Sequence, residues 1–259
     1  MRSASERREL LKQVYDEARD CVRCPLHKTR TTVVFGAGNA DADLMFIGEA
    51  PGANEDRQGL PFVGQAGKLL DKLLLEIGLE RRQVFIANTL KCRPPDNRDP
   101  HPNEIETCQD YLQRQVALIE PTVICTLGNF STKLLRADNT GISRLHGQDE
   151  VRVIGTRAVR LYPLYHPAAA LYTPSTLETL RADFHRIPGL LELGAPDQPT
   201  VPEPADPDAD SLESWAAPEL ELVSEPGAVS PEPAPEPVAQ LELFWWGATF
   251  RRAPLAARG

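Results

Sequence analysis

Residues 44–52, LMFIGEAPG, place four apolar residues directly before a turn that is rich in glycine and proline. A short apolar run that ends in turn-forming residues is typical of a buried β-strand. Beyond the turn, residues 66–77 repeat apolar side chains at the spacing of one helix face. This stretch therefore predicts a strand that passes through a tight turn into a helix.

The same pattern recurs along the chain. Further apolar runs predict strands at 84–87, 123–127 and 159–165, and helical periodicity predicts helices at 5–18, 103–119 and 131–135. Alternating strands and helices favour a parallel sheet that is covered by helices on both faces. We expect a three-layer α/β/α fold with a central, mainly parallel four-stranded sheet.

The C-terminal part of the chain has a different composition. Residues 191–259 hold 12 of the 24 prolines, and from Glu192 onward there are 13 acidic against 3 basic residues. Such a segment cannot bury a core. It contributes −10 to a total charge of −9, so the preceding residues sum to about +1, which does not exclude nucleic-acid binding. We expect one folded domain at 1–190 and a disordered acidic, proline-rich tail at 191–259.

Four of the five cysteines are spaced as two pairs, C-x2-C and C-x15-C, with 67 residues between the pairs. They are Cys21, Cys24, Cys92 and Cys108. In a reducing compartment such a set usually binds zinc or an iron-sulfur cluster, and disulfides are the competing use in secreted proteins. The spacing alone does not separate the two metals. Cys125 lies inside an apolar run and is expected to be an ordinary core residue.

The N-terminus, MRSASERRELLKQ, has no apolar segment of the kind found in signal peptides, and no stretch of 18 apolar residues follows. We therefore expect a soluble, cytoplasmic protein with no membrane contact. We also expect a monomer.

A polar residue follows directly after three of the predicted strands: Glu49, Asn88 and His166. Ligands bind beyond the carboxyl ends of parallel strands, so these residues are expected to share one crevice. Taken singly, each has a plainer explanation, since Glu49 could cap a turn, Asn88 could form one, and His166 could be structural. Their joint occurrence predicts an active site.

Several motifs resemble those of family 4 uracil-DNA glycosylases. They are GEAPGANED (48–56), GLPFVGQAGKLLDKLL (59–74), ANTLKCRPPDNRDP (87–100) and YHPAAAL (165–171), together with the four paired cysteines. The resemblance covers about residues 10–190. It implies that the folded domain is catalytic, that it removes uracil from DNA and leaves an abasic site, and that Cys21, Cys24, Cys92 and Cys108 hold a 4Fe-4S cluster.

The resemblance also assigns roles within the crevice. Asn88 corresponds to the residue that reads the edge of a flipped-out uracil, and Phe62 to the residue that stacks on it. His166 and the Ala50 N–H would stabilise charge on uracil O2, and Glu49 would orient or deprotonate the attacking water. Glu55 corresponds to the residue near uracil C5 that excludes the methyl group of thymine.

Contacts to DNA are expected from loops and helix N-termini and from the segment after His166. Gly128 begins a predicted helix whose N-terminus could bind phosphate. In the broader superfamily a leucine four residues beyond the histidine fills the gap left by the flipped base. Here that position is Ala170, and the leucine is Leu171.

The tail contains a short peptide, residues 240–246, after a proline-rich spacer. Gln240, Leu241, Leu243 and Phe244 fit the QLxLF pattern by which bacterial DNA-processing proteins bind the sliding clamp, so residues 240–244 predict that partner.

Two other functions would use the same cysteines. One is an iron-sulfur protein of the same superfamily that binds uracil DNA without turnover through a histidine after the second strand, and here no histidine occurs in that loop before His101. The other is a nucleotide-binding or electron-transfer iron-sulfur module, which would not need Asn88 and His166.

Overall fold

Six strands form one sheet in residues 3–199, the part of the chain that the structure, a computed structural model, describes. They are β1 (Ala37–Gly38), β2 (Leu44–Gly48), β3 (Phe85–Asn88), β4 (Val123–Leu127), β5 (Glu150–Ile154) and β6 (Arg157–Leu164). Their order across the sheet is β1-β3-β2-β4-β6-β5. The four inner strands run parallel, and β1 and β5 are antiparallel edge strands.

Nine α-helices accompany the sheet within the described residues. They are α1 (Ala4–Arg19), α2 (Ala53–Gln58), α3 (Gln65–Glu76), α4 (Pro102–Ile119), α5 (Asn129–Arg136), α6 (Ile142–Leu145), α7 (Pro167–Ala170), α8 (Pro174–His185) and α9 (Ile187–Glu192). Three short 3-10 turns lie at Pro25–Lys28, Arg81–Gln83 and Pro95–Asn97.

The sheet has a separate hydrophobic core on each face. On one face, residues of α1 and α4 such as Val14 and Val116 pack on Met45 and Phe85. On the other face, residues of α3, α8 and α9 pack on the alternate side chains of the same strands, such as Phe46. Successive strand residues point to opposite faces, so an inner strand that is covered twice must be apolar throughout. This confirms the predicted three-layer α/β/α architecture.

The predicted number of strands, four, was too low. All four predicted strands are present and form the parallel centre of the sheet. The two missing strands are at the edges. β1 has only two residues, and β5 alternates charged residues with Val151 and Val153, which are more than half exposed. Edge strands bury one side at most, so they lack the continuous apolar run that identifies the inner strands.

The folded part continues beyond residue 190. α9 ends at Glu192, and the Gln198 side chain both accepts from and donates to the backbone of Ala158 at 3.1 Å. The predicted clamp-binding residues 240–244 lie outside the described residues. Within residues 3–199, no helix has the length and apolar character needed to cross a membrane.

Candidate active site and cysteine cavity

The sheet brings the loops after β2 and β3 side by side. Gly48 at the end of β2 pairs with Asn88 at the end of β3. Two further bonds join the loops themselves, from Thr89 N–H to the Gly48 carbonyl and from Leu90 N–H to the Glu49 carbonyl, each at 3.0 Å. Backbone hydrogen bonds therefore fix the start of both loops, and with it the main-chain positions of Glu49 and Asn88.

Gly48 lies next to two of the predicted residues, Asn88 and Phe62. A Cβ atom at this position would lie 2.4 Å from Asn88 Oδ1 and 2.8 Å from the Phe62 ring. Only glycine allows both side chains to approach so closely. Asn88 is 2% exposed, yet no hydrogen bond joins its side-chain amide to another residue of the described region. A side-chain amide that has no protein partner, on a residue so little exposed, is available to bind a ligand.

The His166 ring stacks against the Phe62 ring. Their ring centroids are 5.6 Å apart, with 26° between the planes. His166 precedes α7, and its Nδ1 accepts a hydrogen bond from the Ala168 N–H at 3.1 Å. In a neutral imidazole the nitrogen that accepts carries no proton, so the proton is on Nε2. His166 can thus donate a hydrogen bond from Nε2 while remaining uncharged.

The surroundings favour the neutral form of His166. Burial lowers the pKa of this imidazole below its usual value, and the negative charge of Glu55 opposes that effect. At neutral pH the ring is therefore an uncharged donor.

Glu49 is half-buried at the start of the loop after β2. Burial, reinforced by the negative charge of Asp99, raises the pKa of this carboxyl group. Among residues 3–199, no hydrogen bond reaches its carboxylate, and none uses the N–H of the next residue, Ala50. Both groups are available to a bound molecule.

The Glu55 carboxylate is hydrogen-bonded to the protein main chain. Its Oε1 accepts hydrogen bonds from the N–H groups of Val63 at 3.0 Å and Gly64 at 3.2 Å. Gly64 is the N-cap of α3, so the carboxylate also interacts favourably with the helix N-terminus. The structure therefore shows Glu55 fixing the loop that carries Phe62.

Ala170 and Leu171, the two positions predicted to fill the gap left by the flipped base, differ in exposure. Ala170 is 3% exposed and packs in the core, so it offers no side chain to DNA. Leu171 is 37% exposed and Tyr172 is 89% exposed. Tyr172 was not predicted, because the superfamily pattern specifies a leucine at a fixed distance from the histidine. An aromatic residue beside Leu171 was the available signal.

The Gly128 N–H, predicted to contact phosphate, already has a partner within the protein. Gly128 adopts a positive φ of 93°, and its N–H already donates to the Leu164 carbonyl at 2.9 Å. A phosphate at this helix would have to use later N–H groups in the first turn of α5. Gly128 also lies close to one of the candidate site residues, because a Cβ atom there would lie 3.1 Å from His166 Cβ.

The four paired cysteines share one cavity, and one of them, Cys92, lies only four residues after Asn88. Its lining comprises Ala18, Cys21, Cys24, Arg30, Lys91, Cys92, Thr107, Cys108 and Tyr111. Within residues 3–199, no three Cys, His, Asp or Glu side chains lie close enough to hold a single metal ion. Cys125 is fully buried elsewhere, as expected of a core residue.

Hydrogen-bond donors and cations surround the sulfur atoms. Arg30 Nη1 lies 3.3 Å from Cys92 Sγ, and the Lys91 N–H lies 3.3 Å from Cys108 Sγ. Burial raises the pKa of the Cys92 thiol to about 12, against the attraction of Arg30. This thiol therefore keeps its proton unless a bound metal replaces it. Four thiols with nearby N–H donors fit an iron-sulfur cluster.

Comparison with known proteins agrees with this arrangement. The family model described as "Uracil DNA glycosylase superfamily" matches residues 35–186. The Type-4 uracil-DNA glycosylase of Archaeoglobus fulgidus is 48% identical over 198 residues, which cover 74% of this chain and 98% of that protein. The Type-4 enzyme of Thermotoga maritima is 40% identical over 166 residues, covering 64% of this chain and 85% of that one.

A more distant similarity extends to another type. The Type-5 uracil-DNA glycosylase of Pyrobaculum aerophilum is 29% identical over 213 residues, covering 69% of this chain and 89% of that protein. The higher identity to the Type-4 enzymes, over almost the full length of one of them, is consistent with the four paired cysteines and the motifs at strand ends. The chain belongs to the uracil DNA glycosylase superfamily and, within it, groups with the Type-4 enzymes.

Proposed function

We propose that this protein excises uracil from DNA by hydrolysing the bond between uracil N1 and C1′ of deoxyribose, which leaves an abasic site. One observation carries the proposal. Asn88, Glu49 and His166 each present a polar group that has no partner within the described residues, and all three lie at the carboxyl ends of parallel strands of one sheet. The base must leave the duplex to reach them.

Asn88 supplies the selection for uracil. Its amide can accept from uracil N3–H and donate to O4, whereas cytosine presents the opposite pattern at these two positions. A cytosine in the crevice would leave buried polar groups unpaired, at about 1–3 kcal/mol each. The near-complete burial of Asn88 supports this role, since the energetic difference is large only away from water.

His166 and Ala50 act on the departing base. As the glycosidic bond breaks, negative charge develops on uracil O2. A neutral Nε2–H donor and the free Ala50 N–H stabilise that charge, and they do so more strongly in the transition state than in the bound substrate. The hydrogen bond from Ala168 to Nδ1, which fixes the protonated nitrogen, supports this assignment.

Glu49 acts on the sugar side of the bond. In its ionised form the carboxylate orients or deprotonates the attacking water, and its charge also favours the cation-like deoxyribose of the transition state. Phe62 provides a flat surface for the base between Gly48 and His166. We propose that Glu55, in addition to its bonds to the Phe62 loop, borders uracil C5 and excludes the methyl group of thymine.

We propose that Cys21, Cys24, Cys92 and Cys108 bind a 4Fe-4S cluster. When bound, the cluster supplies a rigid cross-link between the N-terminal segment and the loop after β3. Purified protein should be brown and contain about four iron atoms per chain, the number in one such cluster. Cys108→Ser should lose the iron and the visible absorbance. Zinc in place of iron would contradict the assignment.

We propose that residues 240–244 bind the sliding clamp. Support comes from the sequence alone, as a short apolar peptide after a proline-rich spacer is a common form of docking segment. Purified clamp should retain the wild-type protein and release the Leu243→Ala, Phe244→Ala double variant. Equal retention of both would end the proposal without affecting the proposed catalysis.

The decisive experiment for the proposed activity is incubation with a single-uracil oligonucleotide followed by alkali, which cleaves the strand at an abasic site. Asn88→Ala and His166→Ala should each abolish most scission while the iron-sulfur absorbance is kept. A protein that forms a stable adduct with the oligonucleotide, or one without scission, would support the binding functions instead. The loop after β3 has no histidine before His101, which supports turnover.

A further inference from the structure

Phe62 has an unusual backbone conformation. Its φ is +53°, in the left-handed region that bulky residues rarely adopt. The residue is nevertheless 7% exposed, and its ring lies close to both Gly48 and His166. A strained conformation persists only where surrounding contacts hold it.

Arg81 makes the contacts that hold this conformation. Its guanidinium donates to the carbonyl oxygens of two consecutive residues, Pro61 and Phe62, the latter at 3.3 Å. The same guanidinium is fixed by Asp71 on α3, at 3.0 Å. A planar group with several donors can bind two neighbouring carbonyls at once, whereas lysine offers a single point of charge.

Gly67 provides the space for this arrangement. A Cβ atom at Gly67 would lie 1.7 Å from the Phe62 carbonyl oxygen, so any side chain there would displace the loop. The Phe62 carbonyl is therefore pressed against α3 and bonded to Arg81 at the same time. Both contacts act on the peptide group that determines where the ring points.

We propose that Arg81 is a positioning residue for the reaction, which acts by holding the Phe62 ring where the flipped base stacks. The inference rests on the proposed function, because it uses Phe62 as the stacking surface. Among the described residues, Arg81 makes no hydrogen bond to Asn88 or His166, so its link to the site runs through the Phe62 loop.

Removal of the guanidinium should free the loop to relax. In Arg81→Met, Phe62 would leave the left-handed region, and its ring would no longer cover Gly48. We expect kcat/KM on a uracil oligonucleotide to fall by about tenfold to a hundredfold, the loss typical of a misplaced reaction partner. Arg81→Lys should recover only part, since an ammonium group lacks the planar, forked set of donors that meets two neighbouring carbonyls and Asp71 together.

Arg181→Met is the matched control. Arg181 is about as buried as Arg81, with 28% against 31% of the side chain exposed, and it also binds carboxylates, those of Glu76 and Glu178. It does not bond the Phe62 loop. Arg181→Met should retain wild-type kcat/KM, so a loss specific to Arg81 is not a general effect of removing an ion pair.

A double-mutant cycle with Phe62→Ala decides how Arg81 acts. If Arg81 works through Phe62, then Arg81→Met should have little further effect in the Phe62→Ala background. A fluorine label on the Phe62 ring should also shift in Arg81→Met and not in Arg181→Met. Equal losses in both backgrounds, or wild-type activity of Arg81→Met, would overturn the inference. Failure of the proposed function would instead appear as no uracil release by the wild-type protein.

Discussion

The Lys91 ammonium group donates a hydrogen bond to the main-chain carbonyl of Asn88 at 2.8 Å. Lys91 is 1% exposed, and the same nitrogen donates to Gln115 Oε1 at 2.6 Å. Gln115 in turn donates to the Phe35 carbonyl at 2.9 Å. A buried polar network therefore connects the proposed base-reading residue to the cysteine cavity, which Lys91 also lines.

Lys91→Met should disrupt this network. Its loss leaves the Asn88 carbonyl and the Gln115 side chain without their donor, at about 1–3 kcal/mol for each unsatisfied group. We expect a lower free energy of unfolding in urea and a reduced kcat/KM. Lys68→Met, at an exposed position of α3, is the control and should change neither. Unchanged stability of Lys91→Met would show that water replaces the ammonium group.

The kcat/KM of uracil excision should depend on pH only below neutral pH. The mechanism needs ionised Glu49 and neutral His166. Burial raises the pKa of Glu49 and lowers that of His166 from its usual 6.5, so both groups reach their active forms as the pH rises. We expect kcat/KM to increase with pH and to level off by about pH 7. Single-turnover rates between about pH 4 and pH 9 test this. If kcat/KM instead fell again as the pH rose to neutral, the reaction would need a protonated His166.

The inner part of the fold was predictable because it follows from local patterns. The parallel strands β2, β3, β4 and β6 are mostly apolar, and the topology places the residues that follow them at one edge of the sheet. The edge strands were not predictable in the same way. β5 buries only part of its surface, and its pairing with β6 depends on tertiary structure.

Details of the site depended on contacts between distant residues. The left-handed conformation of Phe62 results from Arg81 and Gly67, and no local pattern marks it. Likewise, Glu55 carries out a structural task at the start of α3 that its motif does not reveal. Residue types at the strand ends could be predicted, whereas the neighbours that orient their side chains could not.

Glu49→Gln should stabilise the protein while it removes activity. The folded-state pKa of Glu49 is raised, so ionisation opposes folding: its contribution to stability is fully present below the unfolded value of 4.5 and is lost as the pH rises through the folded pKa. Glutamine avoids this loss. We expect a higher melting temperature at pH 7, and no gain below pH 4.5, with an activity loss of about 10²–10⁴-fold.

The control for this substitution is Glu106→Gln, at an exposed position of α4. It should leave both activity and melting temperature unchanged. A lower melting temperature for Glu49→Gln at pH 7 would mean that the carboxylate has a stabilising partner in the folded protein.

Leu171 and Tyr172 should matter for duplex DNA and not for single strands. They are the exposed apolar side chains directly after α7, at 37% and 89% exposure, and either can fill the gap that a flipped base leaves in the stack. A single strand has no paired stack to restore. We expect Leu171→Ala and Tyr172→Ala each to lower duplex excision by about tenfold, equivalent to roughly 1.4 kcal/mol.

Two further variants separate insertion from general damage. Tyr172→Phe keeps the aromatic ring and should keep duplex activity, because stacking does not need the hydroxyl group. Leu193→Ala removes another exposed leucine, 60% exposed, after α9 and should have no effect on either substrate. Equal losses on single-stranded and duplex uracil in Leu171→Ala and Tyr172→Ala would argue against a wedge, since that pattern places the defect in the crevice beside His166.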